Sequence, residues 1–263
     1  MNETVKALTV VTCHYGDVYW VNQLLNYFQI NCYEFIDTIY VIDNSGNFEV
    51  PNLNIGIDVK RIEFLKLPPG SPQHANSLQA FLNSFQIETP KLLIVDSDVV
   101  FLNNDWIDKF MWDSEHEAHL AIQEGSRYLT HPCFNLISSQ RIKFIDYTEG
   151  MSEFGFDTGR LIGLQLARNR VSVKKIYPQR YYSNSFGYSY SNESFVHATS
   201  GSVRLMPSRR KFFVEFKIYF LKWLTRGRHK LVRKLPLIFL LFLSLLSYCY
   251  NNVRKFYSKF IRG

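Results

Sequence analysis

The stretch Lys91-Leu92-Leu93-Ile94-Val95-Asp96-Ser97-Asp98-Val99-Val100-Phe101 decides how this chain is read. An unbroken aliphatic run of strand length ends in two carboxylates separated by one serine. Such a run suits a strand buried on both faces of a parallel sheet. In open α/β sheets ligands bind just past the carboxyl ends of the strands, where Asp96 and Asp98 emerge. Two adjacent carboxylates repel unless something positive lies between them. A hard divalent cation answers that need, and such cations commonly bridge a carboxylate to a substrate's phosphates. An ordinary strand-end turn would also use Asp and Ser. The buried strand in front makes the pattern more specific than a bare Asp-x-Asp.

Outward from this stretch, strands and helices alternate. Lys6–Cys13 reads as a buried first strand. Asp17 can cap a helix with Val18, Val21, Leu24, Leu25 and Phe28 at helical spacing. Phe35–Asp43 is a second strand, closed by the turn signal Asp43-Asn44-Ser45-Gly46. Ile57–Phe64 is a third. After Pro68-Pro69-Gly70, Ser71-Pro72 opens a helix that runs to about Phe85. This order predicts a doubly wound α/β sheet. Beyond Asp98, His119–Gln123 and Phe134–Ser138 read as strands and Asp157–Ala167 as a helix capped by Asp157. Tyr181–Asn192 reads as a loop.

The 263 residues carry a formal net charge of +7, but the charge is split. Residues 1–208 hold 16 Lys and Arg against 22 Asp and Glu, a net of −6; residues 209–263 hold 14 against Glu215 alone, a net of +13. The globular part is therefore mildly acidic, which argues against nucleic acid as its partner. Cys13, Cys32, Cys133 and Cys249 show no zinc or redox spacing. Ala7–Cys13 is too short for a signal-peptide core, so a reduced, cytosolic setting is expected.

The sequence divides near residue 208, into a domain of residues 1–207 and a tail of residues 208–263. In the tail, Phe212, Phe213, Phe216, Tyr219, Phe220, Trp223 and Leu224 recur at helical spacing. Lys211, Glu215, Lys222 and Arg226 form a polar stripe opposite them. That is the pattern of a basic interfacial helix. Leu235–Tyr250 adds 16 residues without a charge; as a helix it would span about 24 Å against a hydrocarbon core of about 30 Å. Basic pairs flank it on both sides, so charge bias fixes no orientation. Attachment to the cytoplasmic leaflet, in plane or by shallow insertion, is the favoured reading, with an anionic membrane surface as partner. A transmembrane anchor and a helix pair packed on the protein's own core are the alternatives.

Taken in order, these segments resemble a bacterial glycosyltransferase of the GT-A fold, of the family 2 kind, over residues 6–205. Thr12-Cys13-His14-Tyr15 resembles the family's first strand and nucleotide loop. Val41-Ile42-Asp43-Asn44-Ser45 resembles the second strand, whose terminal Asp reads the base. Gly70-Ser71-Pro72-Gln73-His74-Ala75-Asn76 resembles the segment where a helix begins beside the donor's phosphates. Asp96-Ser97-Asp98 falls at the metal-binding Asp-x-Asp, and Phe156-Asp157-Thr158-Gly159 where an acidic residue faces the acceptor. His197 in Val196-His197-Ala198-Thr199-Ser200-Gly201 matches a late histidine that completes the metal site.

The resemblance implies a Rossmann-like doubly wound mixed sheet and metal-dependent transfer of a sugar from a nucleotide-sugar donor to a glycan or glycolipid acceptor. It implies Asp98 and His197 as ligands of a divalent metal, Mn or Mg. Thr12, Tyr15, Asp43, His74 and Asp96 are implied on the donor, and Asp157 as general base of an inverting displacement. The Gln-x-x-Arg-Trp motif of processive synthases is absent, which favours addition of a single sugar. With the tail, this places the enzyme at the cytoplasmic face of the inner membrane. A further departure and a rival resemblance stand beside it. The usual Glu-Asp pair is only Phe156-Asp157. Ile94-Val95-Asp96-Ser97-Asp98-Val99-Val100 also resembles the nucleophile motif of haloacid dehalogenase-like phosphatases, with Asp96 as nucleophile. That motif opens its domain, whereas about ninety residues precede it here. A nucleotidyltransferase would want a Gly-rich, Arg-containing loop at Thr12–Gly16. A membrane-attached, non-catalytic binding protein remains the third alternative.

Overall fold

The computed structural model describes residues 6–51, 57–64, 71–127, 129–154, 157–183, 187–191 and 194–197. The tail, with its two apolar segments and the boundary near residue 208, lies outside the described residues. So do Gly70, Phe156 and Ala198–Gly201. Among the described residues no helix is long and apolar enough to cross a membrane.

The first half alternates as the sequence predicts: β1 Leu8–His14, α1 Val18–Asn31, β2 Ile36–Asp43, β3 Asp58–Ile62, α2 Ser71–Ser84 and β4 Lys91–Val95. Asp17 caps α1, its Oδ1 accepting the Tyr19 amide at 2.9 Å. After Asp96–Asp98 comes the short β5 Val99–Phe101. A π-helical turn Ile107–Met111, β6 Ala118–Ile122 and β7 Thr130–Ser138 follow. The chain continues through a 3₁₀ turn Ser139–Phe144, α3 Met151–Phe154, α4 Ile162–Arg168 and β8 Val173–Ile176. It then forms β9 Pro178–Ser183, β10 Gly187–Tyr190 and β11 Phe195–His197.

Seven strands form one sheet in the order β3-β2-β1-β4-β7-β6-β8. All neighbours are parallel except the pairs that involve β7, which runs against both β4 and β6. This is a Rossmann-like doubly wound mixed sheet. Successive side chains of β4 serve opposite faces, as the pleat requires. Leu93 and Val95 join α1 residues Val21, Leu24 and Phe28 in one core. Leu92 and Ile94 join Leu78 and Phe81 of α2 and Ile162 and Leu166 of α4 in the other. Burying such a side chain fully contributes about 1.5–3 kcal/mol. A second sheet, β5-β11-β10-β9, is antiparallel. It joins the first through aromatic packing, with Phe134 of β7 stacked on Phe195 of β11 at 4.8 Å between centroids.

Two expectations need correction. Within the expected loop Tyr181–Asn192, residues 181–183 and 187–190 belong to β9 and β10, which pair as antiparallel strands. Asp157 does not cap a helix starting beside it; the helix begins five residues later at Ile162, with Leu161 at the N-cap. Gly159 causes the delay. Its φ of +63° is left-handed backbone, which breaks a right-handed helix, and a Cβ there would lie 2.9 Å from Tyr147 and Ile162.

Candidate active site

The order of strands reverses beside β1: β2 and β3 follow on one side, and β4 returns on the other. The crevice at such a switch point, past the carboxyl ends of the strands, is where open α/β sheets hold ligands. Here it is flanked by Thr12–Tyr15 after β1 and Asp96–Asp98 after β4.

The turn at Asp96 is tight, with the Val99 amide donating to the Asp96 carbonyl at 3.1 Å. It sends the chain into β5, and β5 pairs with β11 so that Val99 lies opposite His197. A histidine about a hundred positions away in sequence is thereby set against both carboxylates. His197 Nε2 stands 3.1 Å from Asp98 Oδ1 and 3.3 Å from Asp96 Oδ2. His74, in the first turn of α2, brings its Nε2 to 3.5 Å from Asp96 Oδ1. Asp98 is 3% exposed.

The charges in this pocket act strongly on one another. Burial pushes Asp96 upward, but His197, His74 and His131 more than offset it and hold the carboxyl at about 2. Burial disfavours the charged ring of His197, yet Asp98 and Asp96 overcome this and raise it to about 10. The site therefore demands a positive charge between its carboxylates, and an imidazolium supplies it. Asp96, Asp98 and His197 each offer a ligand atom within 4.8 Å of the others. Two carboxylates with one imidazole make a mostly oxygen donor set, which a hard divalent cation such as Mn or Mg accepts.

The other expected residues lie around this centre in different states. Thr12 is wholly buried, its hydroxyl without a partner among the described residues. Tyr15 is half-buried just beyond β1. Asp43 is already engaged. Its Oδ1 accepts the amides of Ser45 and Gly46 and the Ser45 hydroxyl, and its Oδ2 accepts the Phe48 amide and pairs with Arg61 at 2.9 Å. Burial pushes Asp43 up, but the amides of Phe48, Ser45 and Gly46 bring it below its usual range. Asp43 thus anchors the turn that walls the crevice. Asn44 continues that wall by accepting the Ser77 hydroxyl at 2.9 Å, which ties α2 to β2. Asp157 is exposed, and its Oδ1 accepts the Thr158 amide at 2.9 Å.

Sequence reasoning left His131 unassigned. It lies on β7, whose Phe134 pairs with Val95, so residues 131–133 extend past the end of β4. Its ring meets His197 edge to face at 4.7 Å between centroids. Nδ1 accepts the Cys133 amide at 3.1 Å, which leaves Nε2 as the protonated nitrogen. Burial, then the charge of His197, lower it to about 4 against the pull of Asp96, Asp157 and Asp98. His131 thus sits in the field of all three carboxylates. No local motif marks it; only the strand order brings it here.

No family model matches the chain, and no curated protein does. Solved structures do. The glycosyltransferase GlyE of Streptococcus pneumoniae TIGR4 is 19% identical over 65% of this chain, with a TM-score of 0.41. The chain spans 45% of that protein's length. S. aureus TarS, solved with UDP-GlcNAc, is 16% identical over 66% of this chain and 59% of its own, with a TM-score of 0.45. A putative glucose-1-phosphate thymidylyltransferase from Bacillus anthracis scores 0.44 at 10% identity, over 66% of this chain and 87% of its own. Likenesses this distant assign neither an activity nor a substrate to the chain.

Proposed function

We propose that this chain is a glycosyltransferase that moves a single sugar from a nucleotide-sugar donor to a lipid-linked or membrane-borne glycan, in a metal-dependent and inverting reaction. The observation that carries the proposal is the convergence of Asp96, Asp98 and His197 at the carboxyl end of β4, beside the switch point of the sheet. Asp98 and His197, with Asp96 beside them, would hold a Mn or Mg ion, which supplies Lewis acidity toward the donor's diphosphate. His74, at the amino end of α2, adds a hydrogen-bond donor where backbone N–H groups already favour anions. Asp157 takes the proton from the acceptor hydroxyl as that oxygen bonds to the anomeric carbon. The bond from that carbon to the diphosphate breaks, and its electron pair leaves with the nucleotide. Thr12, Tyr15 and Asp43 border the donor crevice.

Transfer by this route belongs to surface polysaccharide or lipopolysaccharide assembly at the cytoplasmic face of the inner membrane, with residues 208–263 as the attachment. Asp96 as a phosphatase nucleophile fits less well, because one of its oxygens faces His74 and the other His197. The test measures nucleoside diphosphate release from a panel of nucleotide sugars, with Mn or Mg and glycolipid extracts as acceptors. Asp98→Ala should abolish release and metal-dependent nucleotide binding, with the circular dichroism spectrum unchanged. Normal divalent-dependent turnover by Asp98→Ala would sink the assignment.

A further inference from the structure

A second convergence of donor atoms lies away from the crevice. Asp113, His116 and His119 also hold one ligand atom each within 4.8 Å of the other two. His119 belongs to β6, while Asp113 and His116 lie in the segment that leads into it. This segment is fixed at the amino end of β4, where Lys91 Nζ donates to the carbonyls of Phe110 and Asp113 at 3.0 and 3.3 Å. Asp96 lies five residues further along the strand, roughly 16 Å at the usual rise of a β-strand. The two groups are therefore separate.

The geometry is that of a ligand set. His119 Nε2 and His116 Nδ1 stand 3.0 and 3.1 Å from the same oxygen, Asp113 Oδ2. Donor atoms held tetrahedrally at about 2.0–2.1 Å from a zinc ion lie about 3.3 Å apart, and both histidine nitrogens already stand near that spacing from Asp113. Asp113 Oδ1 is held by the amides of Glu115 and His116 at 2.8 and 3.3 Å, which orients the carboxylate. The His119 ring packs on Phe110 at 5.1 Å between centroids and is 1% exposed. Two imidazoles and one carboxylate suit zinc, whereas magnesium and manganese favour oxygen. A cation already stands here: Lys174 Nζ lies 3.2 Å from Asp113 Oδ2, on a side chain 43% exposed that can turn out to water. Lys91 stays beside the site and weakens it.

We propose that Asp113, His116 and His119 form a zinc site, distinct from the active site, with a water in the fourth position. Zinc there displaces Lys174 and clamps the segment before β6 to the sheet. It stands apart from the donor chemistry, since the donor crevice opens at the other end of β4.

Cobalt is the probe, because tetrahedral cobalt sites absorb in the visible and octahedral ones only weakly. The full chain carrying Asp98→Asn and His197→Gln, which disables the first group, should bind one equivalent of cobalt with tetrahedral bands. Zinc should displace it and raise the melting temperature. Adding His116→Ala should weaken binding by more than about 100-fold, beyond the loss expected from an outer-shell partner. His116 is only half-buried, and His116→Gln, which keeps bulk and polarity, should lose binding equally. Lys174→Met should tighten binding several-fold by removing the competing ammonium. Absence of tetrahedral cobalt in the Asp98/His197 variant would overturn the proposal. So would cobalt binding that survives His116→Ala and His116→Gln. A lower melting temperature from the His116 variants, with no metal bound by any form, makes the group a hydrogen-bonded cluster only.

Discussion

His197 carries the positive charge that Asp96 and Asp98 require when no metal does. Its folded pKa, about 10, is above the ordinary 6.5, so its stabilisation is complete below 6.5 and disappears as pH rises toward 10. Asp96 is depressed from 3.8 to about 2, so its share is present above 3.8 and disappears as pH falls toward 2. The metal-free protein should therefore lose melting temperature between pH 6.5 and 10, and His197→Gln should flatten that decline. Metal must displace the ring proton, so Mn affinity should rise with pH over the same range. A metal affinity independent of pH would argue against His197 as a ligand. Asp157 supplies a second prediction. Asp157→Asn preserves shape and caps no helix, so stability should barely move. Turnover should fall by about 10²–10⁴ while donor binding persists, as for a lost general base. Unchanged turnover would remove Asp157 from the chemistry. Both carboxylates after β4 were legible because strand and motif are contiguous. His131 was not, since its place depends on β7 running antiparallel beside β4.

At the scale of elements, burial decided what could be read. β1, β2 and β4 are buried almost throughout and appear as apolar runs. β9 and β10 pair as antiparallel strands whose Tyr and Ser content imitates a loop, because a strand is favoured by its packing surroundings more than by composition. The helix after Asp157 was anticipated, but its start was misplaced by the left-handed Gly159. That glycine gives a clean test. Gly159→Ala puts a Cβ against Tyr147 and Ile162 at 2.9 Å and forces a strained φ. A cost of about 1–3 kcal/mol in urea denaturation is expected, with Asp157 displaced and turnover reduced as well. A variant as stable as the parent would show that the 157–161 turn relaxes freely.

For the whole molecule the division of charge governs behaviour. Residues 1–208 carry −6 with all the proposed chemistry, and residues 209–263 carry +13 with aromatic residues at helical spacing and a 16-residue apolar run. The two parts should be separable. Truncation near Ser208 should yield a soluble domain that still binds nucleotide sugar, unless the first tail helix covers part of its core. The full chain should bind vesicles that contain anionic lipid, each Lys or Arg near the surface contributing about 1 kcal/mol. Raised salt screens exposed charges and leaves apolar insertion intact, so binding should weaken only in part. Sedimentation with vesicles at low and high salt measures both shares. Complete release by salt would mean that Leu235–Tyr250 is not inserted. Absence of binding to anionic vesicles would place the tail on protein instead. An enzyme held at the leaflet meets a lipid-linked acceptor at a raised effective concentration. The truncated domain should therefore keep its turnover on a soluble acceptor analogue and lose it on the same glycan embedded in vesicles.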